Sequence, residues 1–112
     1  TATANESAFV REVREAIEDH LADPDFSVDQ LASSVAVSRS TLYRRLKDQI
    51  DCTPSQFIQE VRMEHGARLL REREGTISEV AYAVGFSSLS YFSRSFRKHF
   101  GQPPSEYVEV VG

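Results

Sequence analysis

The chain is short of the features that mark secreted, disulfide-stabilised and membrane proteins. Its 112 residues include one cysteine, Cys52, so neither an internal disulfide nor a cysteine-based zinc site can form, which favours a reducing compartment. No segment approaches the roughly 20 apolar residues that a membrane-spanning helix needs. Thr1 to Ala8 lacks the basic and apolar regions of a signal peptide. We therefore expect a soluble, cytoplasmic protein with no membrane partner.

Patterns for catalysis and metal binding are also missing. His20, His65 and His99 lie far apart in the sequence, and none has the spacing of a metal-ligand pair. There is no glycine-rich phosphate loop or nucleophile elbow, and the serines cluster at predicted helix starts, where capping explains them. We expect neither an enzyme nor a protein that holds a metal ion or a cofactor.

What the sequence does contain is an internal repeat. Residues 27–35 recur in character at residues 76–84, and after a short turn the match continues at an offset of 50 residues, which makes Arg44 and Arg94 equivalent. A repeat of this length indicates two copies of one supersecondary unit. Each copy has the pattern of a helix, a short turn and a second helix.

Helix boundaries are marked by three capping boxes, in which a hydroxyl residue precedes a glutamine or glutamate by three positions. They start at Ser27, Thr53 and Thr76. With the helical spacing of apolar residues and the proline and glycine breaks, they predict an all-α fold of seven helices. The predicted helices are a first one that stops before Asp23-Pro24, then 28–34, 39–48, 54–73, 77–84, 89–99 and 104–110.

The fourth predicted helix is long enough to act as a spacer. Its 20 residues would span about 30 Å, close to the roughly 34 Å between successive major-groove faces of B-form DNA. Gly75 is expected to end this helix. Gly85 stands at the second turn, where a residue free to adopt positive φ is favoured, whereas Ala36 at the equivalent position predicts a less strained first turn.

The net charge of −4 is unevenly distributed. Residues 1–30 hold eight acidic and two basic side chains, whereas residues 38–47 hold four basic and residues 87–100 three basic side chains with no acidic one. Two equivalent helices are therefore basic in an acidic chain, as expected for contact with phosphates. The first of them, being more basic, is expected to supply more of the affinity.

Residues 77–107 carry a pattern that resembles the AraC/XylS family of bacterial transcription regulators. The resemblance rests on Ala81-Tyr82-Ala83-Val84-Gly85-Phe86, Ser90-Tyr91-Phe92-Ser93-Arg94 and Pro104-Ser105-Glu106-Tyr107, and in the first half on Leu31-Ala32, Val37-Ser38 and Thr53-Pro54-Ser55. It covers roughly residues 8–110. It implies two homeodomain-like helix-turn-helix subdomains, 8–52 and 75–112, joined by a linker helix, 53–74, and preceded by a tail, 1–7.

The resemblance also implies that the outward face of each second helix contacts DNA. The candidate residues are Arg39, Ser40, Thr41, Tyr43, Arg44 and Lys47 in the first unit and Ser88, Leu89, Ser90, Ser93, Arg94 and Arg97 in the second. At the equivalent positions Arg44 and Arg94, an arginine could pair bidentately with guanine. Contact with phosphate, or a surface ion pair, is the alternative for both.

We expect sequence-specific binding to a promoter or operator in double-stranded DNA, with two recognition helices in successive major-groove segments. The alternative is a helical protein-interaction module whose basic faces bind an acidic partner. DNA binding predicts a duplex affinity that falls steeply with salt through counterion release, whereas flat salt dependence or no binding to any duplex favours the alternative. Further partners that the resemblance implies are RNA polymerase and a sensory or dimerisation domain. The chain starts without methionine, so we expect a piece of a longer protein.

Overall fold

The computed structural model describes residues 7–111, with side chains described for residues 7–108. Within this range the chain forms seven α-helices and no strand, which confirms the predicted all-α fold. The helices are α1 Ala8–Asp19, α2 Val28–Ser34, α3 Arg39–Ile50, α4 Pro54–Arg71, α5 Ile77–Ala83, α6 Leu89–Phe100 and α7 Pro104–Val111.

All three predicted capping boxes are present. In each, the backbone N–H of the first residue donates to the side chain three positions later, and the N–H of that later residue donates to the hydroxyl oxygen. The donor–acceptor distances are 2.9 and 3.1 Å at Ser27, 2.9 and 3.1 Å at Thr53, and 2.8 and 3.1 Å at Thr76. Each box satisfies amides that a helix start would leave without partners.

The prediction for the end of α4 was wrong by two residues. The helix ends at Arg71 after 18 residues, which shortens it to about 27 Å. Arg73, with φ 54°, takes the left-handed position that was expected of a glycine. The N–H groups of Arg73 and Glu74 then donate to the carbonyls of Leu70 and Leu69 at 3.2 and 3.0 Å, the Schellman arrangement that closes a helix. Gly75, also at positive φ, follows this closure.

The chain folds as two compact units. The first contains the residues up to His20 and Asp25–Val61, and the second contains Leu21–Pro24 and the residues from Arg62 onward. Helix α4 therefore contributes its first half to one unit and its second half to the other. Leu21–Pro24, which are part of the α1–α2 connection, belong to the second unit, although both helices beside the connection belong to the first.

The core of each unit lies beneath its second helix. In the first unit, Leu31, Leu42 and Leu46 are fully buried, whereas Val35, Val37 and Ile50 are half-buried. In the second, the buried core is Met63, Ala67, Leu70, Val80, Ala81, Val84, Phe86, Phe92 and Phe96, and Phe100 packs against it while partly exposed. Phe92 lies 5.3 Å from Phe86 and 5.6 Å from Phe96 between ring centroids.

The two helix-turn-helix turns share one backbone conformation, which the sequence did not predict. Ala36 has φ 58° and Gly85 has φ 90°. In both turns two N–H groups close the preceding helix: those of Ala36 and Val37 in the first, and those of Gly85 and Phe86 in the second. The expectation that Ala36 marks a less strained turn was wrong, because alanine here occupies the left-handed region that L residues disfavour.

Candidate nucleic-acid interface

In the first unit, α3 presents an outward face opposite its buried leucines. Its start is capped by Ser38, whose hydroxyl oxygen accepts the N–H of Thr41 at 3.1 Å. Five of the six predicted residues line one open depression in this face, together with three others: Arg39, Ser40, Tyr43, Arg44 and Lys47, with Ser38, Cys52 and Thr53. The sixth, Thr41, is half-buried and accepts a hydrogen bond from the Ser38 hydroxyl at 2.9 Å.

Cys52 is a member of this surface that the sequence did not indicate. Burial, with the negative charges of Glu60 and Asp51, raises the pKa of its thiol to about 11. The thiol is therefore protonated at neutral pH and is a poor nucleophile, because the thiolate is the reactive form. It contributes a compact, weakly polar wall to the depression.

Two cations of this face are already paired within the protein. Arg39 Nη1 lies 2.9 Å from Asp29 Oδ1 in α2, and its guanidinium sits 5.6 Å from the centre of the Tyr43 ring. The hydrogen bond to Asp29, more than any other cause, raises the pKa of Arg39. Lys47 Nζ lies 2.8 Å from Asp51 Oδ1, just past the end of α3. Their hydrogen bond raises the pKa of Lys47 and lowers that of Asp51.

The other two cations of α3, Arg44 and Arg45, have different surroundings from Arg39 and Lys47. Arg45 lies over the Phe9 ring of α1, 4.9 Å from its centroid, and does not line the depression. Arg44 lines it, is exposed, and has no acidic partner in the described part of the chain. Arg44 is therefore a cation at the middle of this face that no described acidic side chain occupies.

In the second unit, α6 presents the equivalent face. Ser88 caps the helix by accepting the N–H of Tyr91 at 3.1 Å, so its hydroxyl oxygen is engaged. Phe92 and Phe96 are buried on the inner side. The remaining predicted residues lie toward solvent: Leu89 is 39% exposed, Ser90, Arg94 and Arg97 are exposed, and Ser93 is half-buried. Contact of these side chains with DNA stays a prediction.

Among the described side chains, no carboxylate neutralises the basic side chains of α6. Arg94, Arg97 and the adjacent Lys98 are all exposed, and between residues 7 and 108 none of them lies within ion-pair distance of a carboxylate. The two basic faces thus differ in charge compensation, although the sequence showed both as acid-free stretches.

Arg62 positions the turn that precedes α6, a role that the sequence did not reveal. It is 7% exposed; its Nη1 donates to the carbonyl of Gly85 at 3.3 Å and its Nη2 to the carbonyl of Asp23 at 2.8 Å. Its Nε has no hydrogen-bond partner among the described residues. Burial lowers the pKa of Arg62, whereas the charges of Asp23 and Tyr91 oppose that change. The guanidinium therefore ties the α1–α2 connection to the turn.

Other kinds of site find little support among the described residues. No three His, Cys, Asp or Glu side chains there come together as a metal ion would require. No helix in the same range is both long and apolar enough to cross a membrane.

Comparison with known proteins identifies the family. The model of the family described as "Helix-turn-helix domain" matches residues 31–109. A crystal structure of an AraC-type DNA-binding transcriptional regulator from Chromobacterium violaceum has a TM-score of 0.76 at 28% identity, covering 92% of this chain and 95% of that one. The chain belongs to the AraC family of helix-turn-helix proteins. The resemblance seen in the sequence is confirmed.

Two further solved structures match over most of the chain. A DNA-binding transcriptional dual regulator from Escherichia coli K-12 has a TM-score of 0.86 at 28% identity, covering 98% of this chain and 97% of that one. The DNA-binding domain of the global transcriptional factor AdpA, solved with a target DNA, has a TM-score of 0.80 at 30% identity, covering 91% and 90%.

The curated relatives are much longer than this chain. It is 36% identical over 107 residues to Histidine kinase P4 of Formosa agariphila, covering 96% of this chain and 8% of that protein. It is 36% identical over 90 residues to the transcriptional activator RhaS of Escherichia coli, covering 80% of this chain and 32% of RhaS. The chain thus spans a third or less of these two relatives.

Proposed function

We propose that this chain binds double-stranded DNA sequence-specifically in bacterial transcription regulation, with the outward faces of α3 and α6 in successive major-groove segments of a promoter or operator. The recurrence of one arrangement carries the proposal: Arg44 and Arg94 stand at equivalent positions, both exposed, on helices whose inner sides are buried. A surface helix that supports a core on one side and presents basic side chains on the other suits a DNA groove. The AdpA structure with its target DNA supports the same reading.

Within this proposal the twelve candidate residues have two kinds of role. Arg44 and Arg94 read bases, because an exposed arginine at mid-helix can donate two hydrogen bonds to guanine O6 and N7. Tyr43 and Leu89 also contact bases, because their apolar surfaces suit thymine methyl groups. The phosphate contacts come from the serines, Thr41 and the basic side chains Arg39, Lys47 and Arg97. Phosphate contacts fix the position of the protein on DNA, and base contacts specify the sequence.

Selection of bound duplexes from a random-sequence pool, followed by titration of the selected site at several salt concentrations, tests the proposal. We expect a defined recognition sequence and an affinity that falls steeply as salt rises, since each neutralised phosphate releases counterions. Enrichment of no sequence, together with salt-independent binding or none, would favour the alternative of a protein-interaction module.

Alanine at Arg44 or Arg94 tests the base-reading role. Each change is expected to weaken binding to the selected site by about 1–3 kcal/mol, roughly 5- to 150-fold, because a bidentate base contact is worth that much. The double variant should lose most of its preference over random DNA. Arg45→Ala is the matched control. Arg45 lies over the Phe9 ring, so its replacement should leave the sequence preference unchanged. Full discrimination in the double variant would remove both arginines from base reading.

We further propose that the intact protein is cytoplasmic, carries a sensory or dimerisation domain, and contacts RNA polymerase. The greater length of the two curated relatives supports the additional domain. Transcription in vitro from a promoter that holds the selected site, with the full-length protein and purified polymerase, tests the polymerase contact. Repression that depends only on overlap of the site with the promoter would argue against it.

A further inference from the structure

The equivalent positions of the two units differ in acidic side chains. Asp29 in the first unit corresponds to Ser78 in the second, and Asp51 corresponds to Gly101. The backbone is alike at the latter pair, since Asp51 and Gly101 both end a recognition helix in the left-handed region, with φ 51° and 82°. The repeat therefore keeps the geometry while only the first copy carries these two carboxylates.

Both carboxylates hold a cation of the proposed DNA-binding face. Asp29 pairs with Arg39 at 2.9 Å and Asp51 with Lys47 at 2.8 Å. Lys47 corresponds to Arg97 of α6, which has no acidic partner in the described range. A DNA phosphate that approaches Arg39 or Lys47 must displace a carboxylate, and the displaced carboxylate then remains close to the phosphate backbone.

We propose that Asp29 and Asp51 are intramolecular competitors of DNA phosphate that attenuate the affinity of the first unit. The inference rests on the proposed DNA binding of α3. It reverses the expectation drawn from the number of basic residues, because the three cations of α6 have no carboxylate partner among the described side chains and supply more of the sequence-independent affinity. The pairs are exposed and hence weak, so DNA can open them, but each opened pair reduces the net gain from the phosphate contact.

Removal of the carboxylates is the first arm of the test, and a random-sequence duplex is the probe. Asp29→Asn and Asp51→Asn in the full 112-residue chain are each expected to tighten binding by about three- to tenfold at low salt. Asparagine preserves the backbone at position 51, because it tolerates left-handed φ. The advantage should shrink as salt rises, since salt screens exposed charges. Asp19→Asn, the same change at an exposed residue at the end of α1, should alter affinity by less than about twofold.

The second arm adds a carboxylate to the other unit. Gly101→Asp places an acid four residues after Arg97, as Asp51 follows Lys47, and a side chain at position 101 would meet open space. Gly101→Asn is the matched control, because it imposes the same backbone strain without the charge. Gly101→Asp is expected to bind the random duplex about three- to tenfold more weakly than Gly101→Asn.

A double-mutant cycle separates competition from net charge. If Asp29 neutralises Arg39, then Arg39→Ala should reduce affinity for the random duplex at least about threefold more in the Asp29→Asn background than in the wild type. Equal losses in both backgrounds, or Asn variants that bind no tighter than Asp19→Asn, would overturn the attenuation while the wild type still binds DNA. A wild type that binds no duplex would overturn the proposed function and this inference together.

Discussion

The two helix-turn-helix turns have the same backbone hydrogen bonds and positive φ, yet one uses alanine and the other glycine. Ala36 is exposed, whereas Gly85 is buried. A Cβ atom added at Gly85 would lie 2.3 Å from the carbonyl oxygen of Leu21 and 3.0 Å from the Arg62 guanidinium. Positive φ alone therefore does not require glycine here. The requirement at the second turn comes from the close approach of another backbone segment.

This difference follows from the position of residues 21–24. They connect α1 and α2 of the first unit but pack in the second, where Arg62 links the carbonyls of Asp23 and Gly85. Ala36, by contrast, is exposed, and no segment within residues 7–111 covers it in a comparable way. The second turn is thus fixed by packing and hydrogen bonds, and the first mainly by its own local hydrogen bonds.

Gly85→Ala is expected to have the largest effect on stability. The added methyl group would overlap a backbone carbonyl and the substituted residue would be held at positive φ, so the free energy of unfolding should fall by about 4 kcal/mol or more. Urea unfolding of the full chain, followed by circular dichroism at 222 nm, measures the change.

Gly101→Ala separates strain from overlap in this prediction. Gly101 also has positive φ, in the same unit, but nothing lies within 4 Å of an added Cβ. Its replacement should therefore lower the free energy of unfolding by only about 1 kcal/mol, which is the ordinary cost of placing an L residue in the left-handed region. If Gly85→Ala and Gly101→Ala lower the free energy of unfolding equally, the close approach of Leu21 does not explain the glycine at the second turn.

Arg62→Met is expected to have the next largest effect. Methionine keeps most of the volume of the side chain but removes the hydrogen bonds that Arg62 donates to the carbonyls of Asp23 and Gly85, which should lower the free energy of unfolding by about 2 kcal/mol. Burial of the charge offsets part of what the hydrogen bonds contribute, so the loss stays below that for Gly85→Ala. Chemical denaturation of the variant, compared with the wild type, gives the value.

Arg68→Met is the matched control for Arg62. Arg68 lies on the same helix, is exposed, and forms an ion pair with Glu72 at 3.2 Å. An exposed pair between residues i and i+4 is worth about 0.3–0.5 kcal/mol, so this variant should remain close to the wild type. Equal stability of Arg62→Met and Arg68→Met would mean that desolvation of the Arg62 guanidinium cancels its hydrogen bonds.

Features with a local cause were predictable from the sequence. The capping boxes at Ser27, Thr53 and Thr76 gave correct helix starts because the residues that satisfy a helix start lie within one turn of it. The buried faces followed from helical spacing. The end of α4 was misplaced because Arg73 occupies a position where glycine is preferred but not obligatory.

Features that depend on distant contacts were not predictable. The ion pair of Lys47 and Asp51 is the exception, because it is a local contact with the i,i+4 spacing of helical ion pairs and could have been predicted from the sequence. The pair of Arg39 and Asp29 spans ten residues and depends on how α2 meets α3. Arg62 looks like an ordinary basic residue of a helix, and only the folded position of residues 21–24 shows why it is buried.

Ala36→Gly is expected to have the smallest effect and the opposite sign. Glycine adopts φ near 58° without the Cβ penalty, but it also increases the entropy of the unfolded chain. The two effects leave a net gain of about 0.5–1 kcal/mol in the free energy of unfolding, read from the urea midpoint at constant m-value. The first turn would then carry the same residue as the second without gaining its buried contacts.

Ala83→Gly shows whether this gain belongs to the left-handed position. Ala83 is exposed at the end of α5 and has helical backbone, so glycine there should lower stability by about 0.5–1 kcal/mol. Opposite signs at positions 36 and 83 would show that conformation, and not the mere loss of a methyl group, determines the outcome. A destabilised Ala36→Gly would show that the alanine methyl group contributes to packing at the first turn, and the contrast between the two turns would then be smaller than their burial indicates.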